Sequence, residues 1–317
     1  MGAKLSVAKL EKRLISCDEE SGKVDFVGCA LDAECAAAIA KFLAGPNKIS
    51  ELNLAKNEIM DEGAVAIAAA LPDNLHLHRM VLANNQLTDA CLQPLMDAVM
   101  VNRHLRDLDL YNNNLTMGGA EHIARMLRKD HHLERLLLGS NDLRDEGVIK
   151  LCDAVKKNHR TKLHKLGLSS NKITELGAQK LMRLVDKYNQ DLITVELGFN
   201  VNLQNKTLDT IRLACEKNKN AIAANAFRRN MRNGGAGITP GKQAALVAGL
   251  TEEQRGEFKD AFSNFDQVGL KLPTLHHLYS CPSRLDLSYR STSAIRPLTV
   301  VHCRQSPAGR RWDDRCW

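Results

Sequence analysis

The sequence predicts an α/β solenoid of about seven stacked units, each a strand, a turn and a helix. Three observations predict it. The first is a recurring pattern, L-x-x-L-x-L-x-x-N-x-L. It runs Ile49, Leu52, Leu54, Asn57, Ile59, then Leu77, Met80, Leu82, Asn85, Leu87, then Leu105, Leu108, Leu110, Asn113, Leu115. It returns as Leu133, Leu136, Leu138, Asn141, Leu143 and as Leu163, Leu166, Leu168, Asn171, Ile173. Worn copies flank these: Val24, Phe26, Cys29, Leu31 before, and Leu192, Val195, Leu197, Asn200, Leu203 after. The second observation is the step from Cys29 to Asn200, which is 28, 28, 28, 28, 30 and 29 residues. A fixed period of this length marks stacked repeats. The third is a stretch at helical spacing after each strand, such as Gly63 to Leu71, with Gly63, Gly119, Gly147 and Gly177 each six residues past their Asn.

Each part of the repeat has a physical reason. L-x-L is strand alternation, so the leucines face inward and the x positions outward. The inward Asn is small and polar, and can bond backbone groups buried where the chain turns from the strand. Asp61-Glu62, Asp145-Glu146 and Glu175 precede or open helices, whose N-terminal ends favour carboxylates. No repeat buries its own apolar face, so neighbours must stack.

The 28–29-residue form, with Asp61-Glu62-Gly63-Ala64 ahead of a full helix, resembles the ribonuclease-inhibitor-like class of leucine-rich repeats over residues 20–220. The resemblance implies a curved solenoid, parallel strands on the concave face and helices on the convex one. It also implies a protein-binding surface rather than an active site.

In chain order, residues 1–19 are expected to form a helical cap, with Leu5, Leu10 and Leu14 toward the first repeat. The start, Met1-Gly2-Ala3-Lys4-Leu5-Ser6, also fits the N-myristoylation pattern, which makes Gly2 a lipidation candidate. Lys4, Lys9, Lys12 and Arg13 would add to a weak membrane association. Residues 20–220 are the solenoid, its last helix spanning about 205–217. Residues 221–248 form a further cap and a flexible linker around Asn233-Gly234-Gly235. Residues 249–266 look like the entering helix of a calmodulin-type EF-hand, with Phe258, Ala261, Phe262 and Phe265 on one face. The loop after Asp266 carries Val268, Leu270, Lys271 and His277 where oxygen ligands and a glycine are needed, so no calcium binding is expected. Residues 267–317 change composition and are expected to be an irregular, disordered tail outside the native reading frame.

Composition excludes several classes. The net charge is +7, but only 4% of residues are aromatic and no basic-aromatic stripe exists, so nucleic acid is not an expected partner. Nine cysteines, an odd number without a C-x-x-C pair, suit reduced thiols in a cytoplasmic protein rather than zinc or disulfides. No Ser/His/Asp or Cys/His set and no phosphate-cradling loop is readable, so neither enzyme activity nor a cofactor is expected.

Function is expected on the outward strand positions. One column reads Glu51, Arg79, Asp107, Arg135, Lys165, Thr194, whose first four charges would neutralise one another across strands. Tyr111 and Phe199 are expected as exposed aromatic anchors, rimmed by Arg79, Arg106, Asp107, Asp109 and Arg135, since aromatics and Arg dominate binding hot spots. The reading is a non-enzymatic scaffold for a protein partner, such as a cytoskeletal or ciliary adaptor. A small-GTPase regulator of the Ran GTPase-activating type and an innate-immune sensor fragment are the alternatives.

Overall fold

The computed structural model describes residues 6–129, 132–158 and 160–232. The chain divides into two units, Met1–Gln243 and Ala244–Trp317, and the second lies wholly outside the described residues. So do Gly2, the linker from residue 233, the EF-hand-like stretch and the tail.

The elements alternate from end to end: α1 (Val7–Glu20), β1 (Lys23–Asp25), α2 (Ala33–Ala44), β2 (Glu51–Asn53), α3 (Met60–Ala70), β3 (Arg79–Val81), α4 (Leu92–Val101), β4 (Asp107–Asp109), α5 (Ala120–Leu127), β5 (Arg135–Leu137), α6 (Arg144–Lys157), β6 (Lys165–Gly167), α7 (Glu175–Arg183), β7 (Thr194–Glu196) and α8 (Asn205–Arg232). The seven strands form one open parallel sheet in sequence order, β1 through β7. Strands stack about 4.8 Å apart, whereas packed helices need about 8–10 Å between axes. Stacking therefore splays the repeats on the helix side and leaves the sheet on the inner, concave side. The leucines of the pattern fill the space between, from Leu52, Leu54 and Leu82 to Leu166 and Leu168, each at most 1% exposed.

The asparagine of each repeat serves its neighbour as well as itself. Asn113 Oδ1 accepts from Asn85 N and Leu87 N of the preceding repeat at 3.0 and 3.1 Å. Its Nδ2 donates to Leu82 O and Leu110 O at 3.1 Å each. Asn57 does the same for Leu31 N and Phe26 O. Cys29 occupies this slot in the first repeat, which has no preceding repeat to serve.

A second buried asparagine ladder lies at the other end of the helices. Asn74 Oδ1 accepts from Leu77 N, and its Nδ2 donates to Leu43 O one repeat back. Asn102 repeats this with Leu105 N and Leu71 O. Asn158 donates to Leu127 O, and Asn189 accepts from Leu192 N. The C-terminal ends of α2, α3 and α5 are thus closed by an amide from the next repeat.

The acids that open the helices bridge repeats too. Asp89 takes the Thr116 N–H at 2.8 Å and its hydroxyl at 2.5 Å. Asp61 holds Thr88 and Asp145 holds Thr174 in the same two-point way. Gly119 and Gly177 leave room for these carboxylates: a Cβ there would lie 2.2 Å from Asp89 Oδ1 and 2.5 Å from Asp145 Oδ1. Where the acid is replaced, by Ala33 or Met117, its threonine is also replaced, by Met60 or Arg144. Both replacements adopt left-handed backbone, φ 54° and 55°. Their N–H groups turn instead to Asn85 O and Asn171 O of the next repeat. Asp89→Ala is expected to lower stability by about 1–2 kcal/mol, as loss of a charge-assisted hydrogen bond does; urea titration of the full chain checks this.

The two ends differ. At the N-terminal end α1 closes the sheet, with Leu10 and Leu14 fully buried. Arg13 donates to Asp25 O at 3.4 Å and lies 4.6 Å over the Phe26 ring. At the other end α8 is a single helix that runs through residues 220–221, the boundary expected between solenoid and cap. No Gly or Pro interrupts it, and Asn218 ties it back to Asn189 O and Leu192 O.

Candidate functional site

The parallel register sets the outward side chains in columns. Lys23, Glu51, Arg79, Asp107, Arg135, Lys165 and Thr194 are successive partners across the sheet. The charge pairing is finer than a simple alternation. Glu51 binds Lys23 at 2.5 Å. Asp107 sits between two arginines, 2.8 Å from Arg135 Nη2 and 3.4 Å from Arg79 Nε. Lys165 crosses to Glu196 at 2.5 Å.

Asp107 is 7% exposed. Burial raises its carboxyl pKa above the ordinary range, against the lowering pull of Arg135 and Arg79. Asp109 is likewise raised by burial, opposed by the hydrogen bond that it accepts from Tyr111 N at 2.9 Å. A carboxyl whose pKa is raised on folding contributes stability in acid and loses it as pH rises through the folded pKa. Asp107→Asn is therefore expected to match or exceed wild-type stability at pH 7. The difference should vanish below about pH 4, the unfolded aspartate range. Unfolding curves between pH 3 and 8 test the sign.

Tyr111 lies two residues beyond β4 and is 43% exposed. Its ring lies across the next repeat at Gly139, where a Cβ would meet it at 2.9 Å. The other members of that column from Ala55 onward, Ala55, Ala83, Gly139, Ser169 and Gly198, are small, so the ring stands above its surroundings.

Phe199 is 95% exposed and has left-handed backbone at φ 58°. Elsewhere this repeat position holds Gly28, Lys56, Asn84, Asn112, Ser140 and Ser170. Left-handed backbone costs a bulky residue about 1–3 kcal/mol, so phenylalanine is a strained choice here. Phe199→Asn is expected to raise the stability of the last repeat, which amide exchange would show.

The structure thus brings Arg79, Asp107, Asp109 and Arg135 together on β3 to β5, with Tyr111 just past β4. Arg106 does not join them. It occupies the residue before the column and donates to Arg103 O at 2.8 Å, with Glu134 3.7 Å away. Strand alternation did not apply there, because Arg106 precedes β4. Phe199 stands three strands from Tyr111, about 14 Å at normal strand spacing, and is a separate feature.

A family model described as Leucine Rich repeat matches residues 45–68, 101–124, 129–152 and 159–182. No curated protein matches the chain. Among solved structures the chain is similar to Leiomodin-1 Actin-Binding Site 2, at 16% identity over 63% of this chain and 97% of that one, TM-score 0.42. It is similar to the tropomodulin C-terminal domain of Caenorhabditis elegans, at 15% identity over 61% and 98%, TM-score 0.39. The LRR ectodomain of the plant membrane receptor kinase GASSHO1/SCHENGEN3 from Arabidopsis thaliana matches at 17% identity over 55% and 24%, TM-score 0.24. The chain thus carries four matched leucine-rich repeats on one open parallel sheet backed by helices.

Proposed function

We infer that the chain is a non-enzymatic scaffold that holds a protein partner on the concave strand face, centred on Tyr111. The observation that carries this is the rigid seat of Tyr111. A large aromatic stands half-exposed above a column of small residues, two residues beyond a strand paired on both sides. Aromatic anchors held in one conformation lose little entropy on binding. Arg79 and Arg135, spanned by Asp107, supply the polar rim. The described residues contain no helix long and apolar enough to cross a membrane. A cytoplasmic adaptor, cytoskeletal or ciliary, is the form of scaffold we favour. Regulation of a small GTPase remains the second reading.

The test is affinity purification of the full chain beside a Tyr111→Ala/Arg79→Glu variant of confirmed folding. Captured proteins are then rebound in purified form, with actin filaments, tubulin and small GTPases in the panel. A direct partner lost only with the variant supports the reading. Partners bound equally by both proteins sink it.

A further inference from the structure

Among the described residues the last strand leaves most of its outer edge unpaired, although the Val195 backbone meets Cys215 of α8, and the register of the sheet says what would fit. In the interior of the sheet, four backbone bonds join β6 to β7 beyond the ladder of their paired residues. His164 O accepts from Ile193 N and Thr194 N, while Leu168 N and Ser170 N donate to Glu196 O and Gly198 O. The groups of β7 that correspond to these donors and acceptor are Ile193 O, Leu197 N and Phe199 N. Among the described residues none of the three has a hydrogen-bond partner.

A groove of about 700 Å³ runs along this edge. Val195, Leu197, Leu203, Leu208 and Ile211 line it, and Phe199 and Arg212 stand at its rim. Solvent reaches Val195 and Leu203, whereas their counterparts Leu166 and Ile173 one repeat earlier are 1% and 0% exposed. The groove is the cross-section of the solenoid core where the next repeat would begin. At the opposite end α1 packs over the sheet, with Leu10 and Leu14 buried.

The geometry points to β-strand addition at this edge: an extended segment of a partner protein, parallel to β7, with the pattern x-x-Φ-x-Φ-small, where Φ is Val, Ile or Leu. The first two residues would donate to Ile193 O. The carbonyls of the fourth and sixth would accept from Leu197 N and Phe199 N. The two Φ side chains would enter the groove over Val195, Leu197 and Ile211. This is the register of the β6–β7 contact moved on by one strand, and main-chain bonds with alternate apolar pockets are how added strands are recognised. The surface is separate from the face around Tyr111.

The probe is a synthetic peptide with the sequence of residues 190–199, which carries Ile193-Thr194-Val195-Glu196-Leu197-Gly198. A control peptide has serine at both Φ positions. Binding to the full chain is followed by fluorescence anisotropy, and the site by amide exchange. The expected result is saturable binding, weakened at least tenfold for the control, with exchange at the Leu197 and Phe199 amides slowed at least tenfold. Absence of binding overturns the proposal, as does binding that leaves these two amides unchanged. Amides as protected in the free chain as those of Leu168 and Ser170 also overturn it, since the edge would then be occupied by this chain or a second copy.

Discussion

Asn113→Leu is expected to cost about 4 kcal/mol, enough to unfold the central repeats under mild heating. Leucine keeps the branched shape of the side chain and excludes water, so the two N–H groups of Asn85 and Leu87 lose their acceptor. Each buried donor left unpaired costs about 1–3 kcal/mol, and the carbonyls of Leu82 and Leu110 lose a donor as well. Whole domains are stable by only about 5–15 kcal/mol, so the effect is a large share of the total. Asn113→Cys is expected to be nearly as costly, although Cys29 fills this slot in the first repeat. Cys29 has no preceding repeat whose N–H groups need an acceptor, and Asn113 has. Thermal unfolding by circular dichroism measures both, and amide exchange at Leu87 locates the loss. A cysteine variant as stable as wild type would show that the ladder does not act between repeats.

Tyr111→Ala is expected to weaken the protein partner about 30-fold, which corresponds to the 2 kcal/mol that defines a binding hot spot. Its effect on folding should be small, since the ring is half exposed and covers only the surface at Gly139. Gly139→Ala provides a second route to the same point. A Cβ there meets the ring at 2.9 Å and must displace it, so binding should fall while Tyr111 itself is intact. Titration calorimetry with the purified partner reads both variants. Equal affinity for wild type and Tyr111→Ala would remove the tyrosine from the interface.

Much of the fold was legible because its period is long and its chemistry uniform. The inward Leu and Asn positions recur at 28–30-residue steps, and stacking converts that period directly into columns. The column of Glu51, Arg79, Asp107 and Arg135 followed from alternation alone. What alternation does not describe was harder to read. Asn74, Asn102 and Asn189 keep the same period, three residues before the first leucine of their repeats. They were hidden because they lie in the helix-to-strand turns, outside the motif. Asp61 and Asp145 read as acids at helix N-termini, a local effect, whereas they and Asp89 bind threonines one repeat away. Their signal was the paired loss of acid and threonine at Met117 and Arg144. The exposure of Phe199 was legible from its place outside the leucine positions, but its strained backbone was not. Left-handed φ there is set by the turn, and the other occupants include lysine and serine as well as glycine.

The most direct test of the scaffold reading is site-specific photo-crosslinking in native extract. A photoreactive phenylalanine analogue is placed at position 111 in one full-length protein. In another it is placed at position 176, where Leu176 is 63% exposed on α7 at the helical surface. The expected result is a discrete cross-linked protein from position 111, absent from position 176 and outcompeted by unmodified wild-type chain. A discrete product from position 176 alone would place the interaction on the helices and contradict a binding strand face.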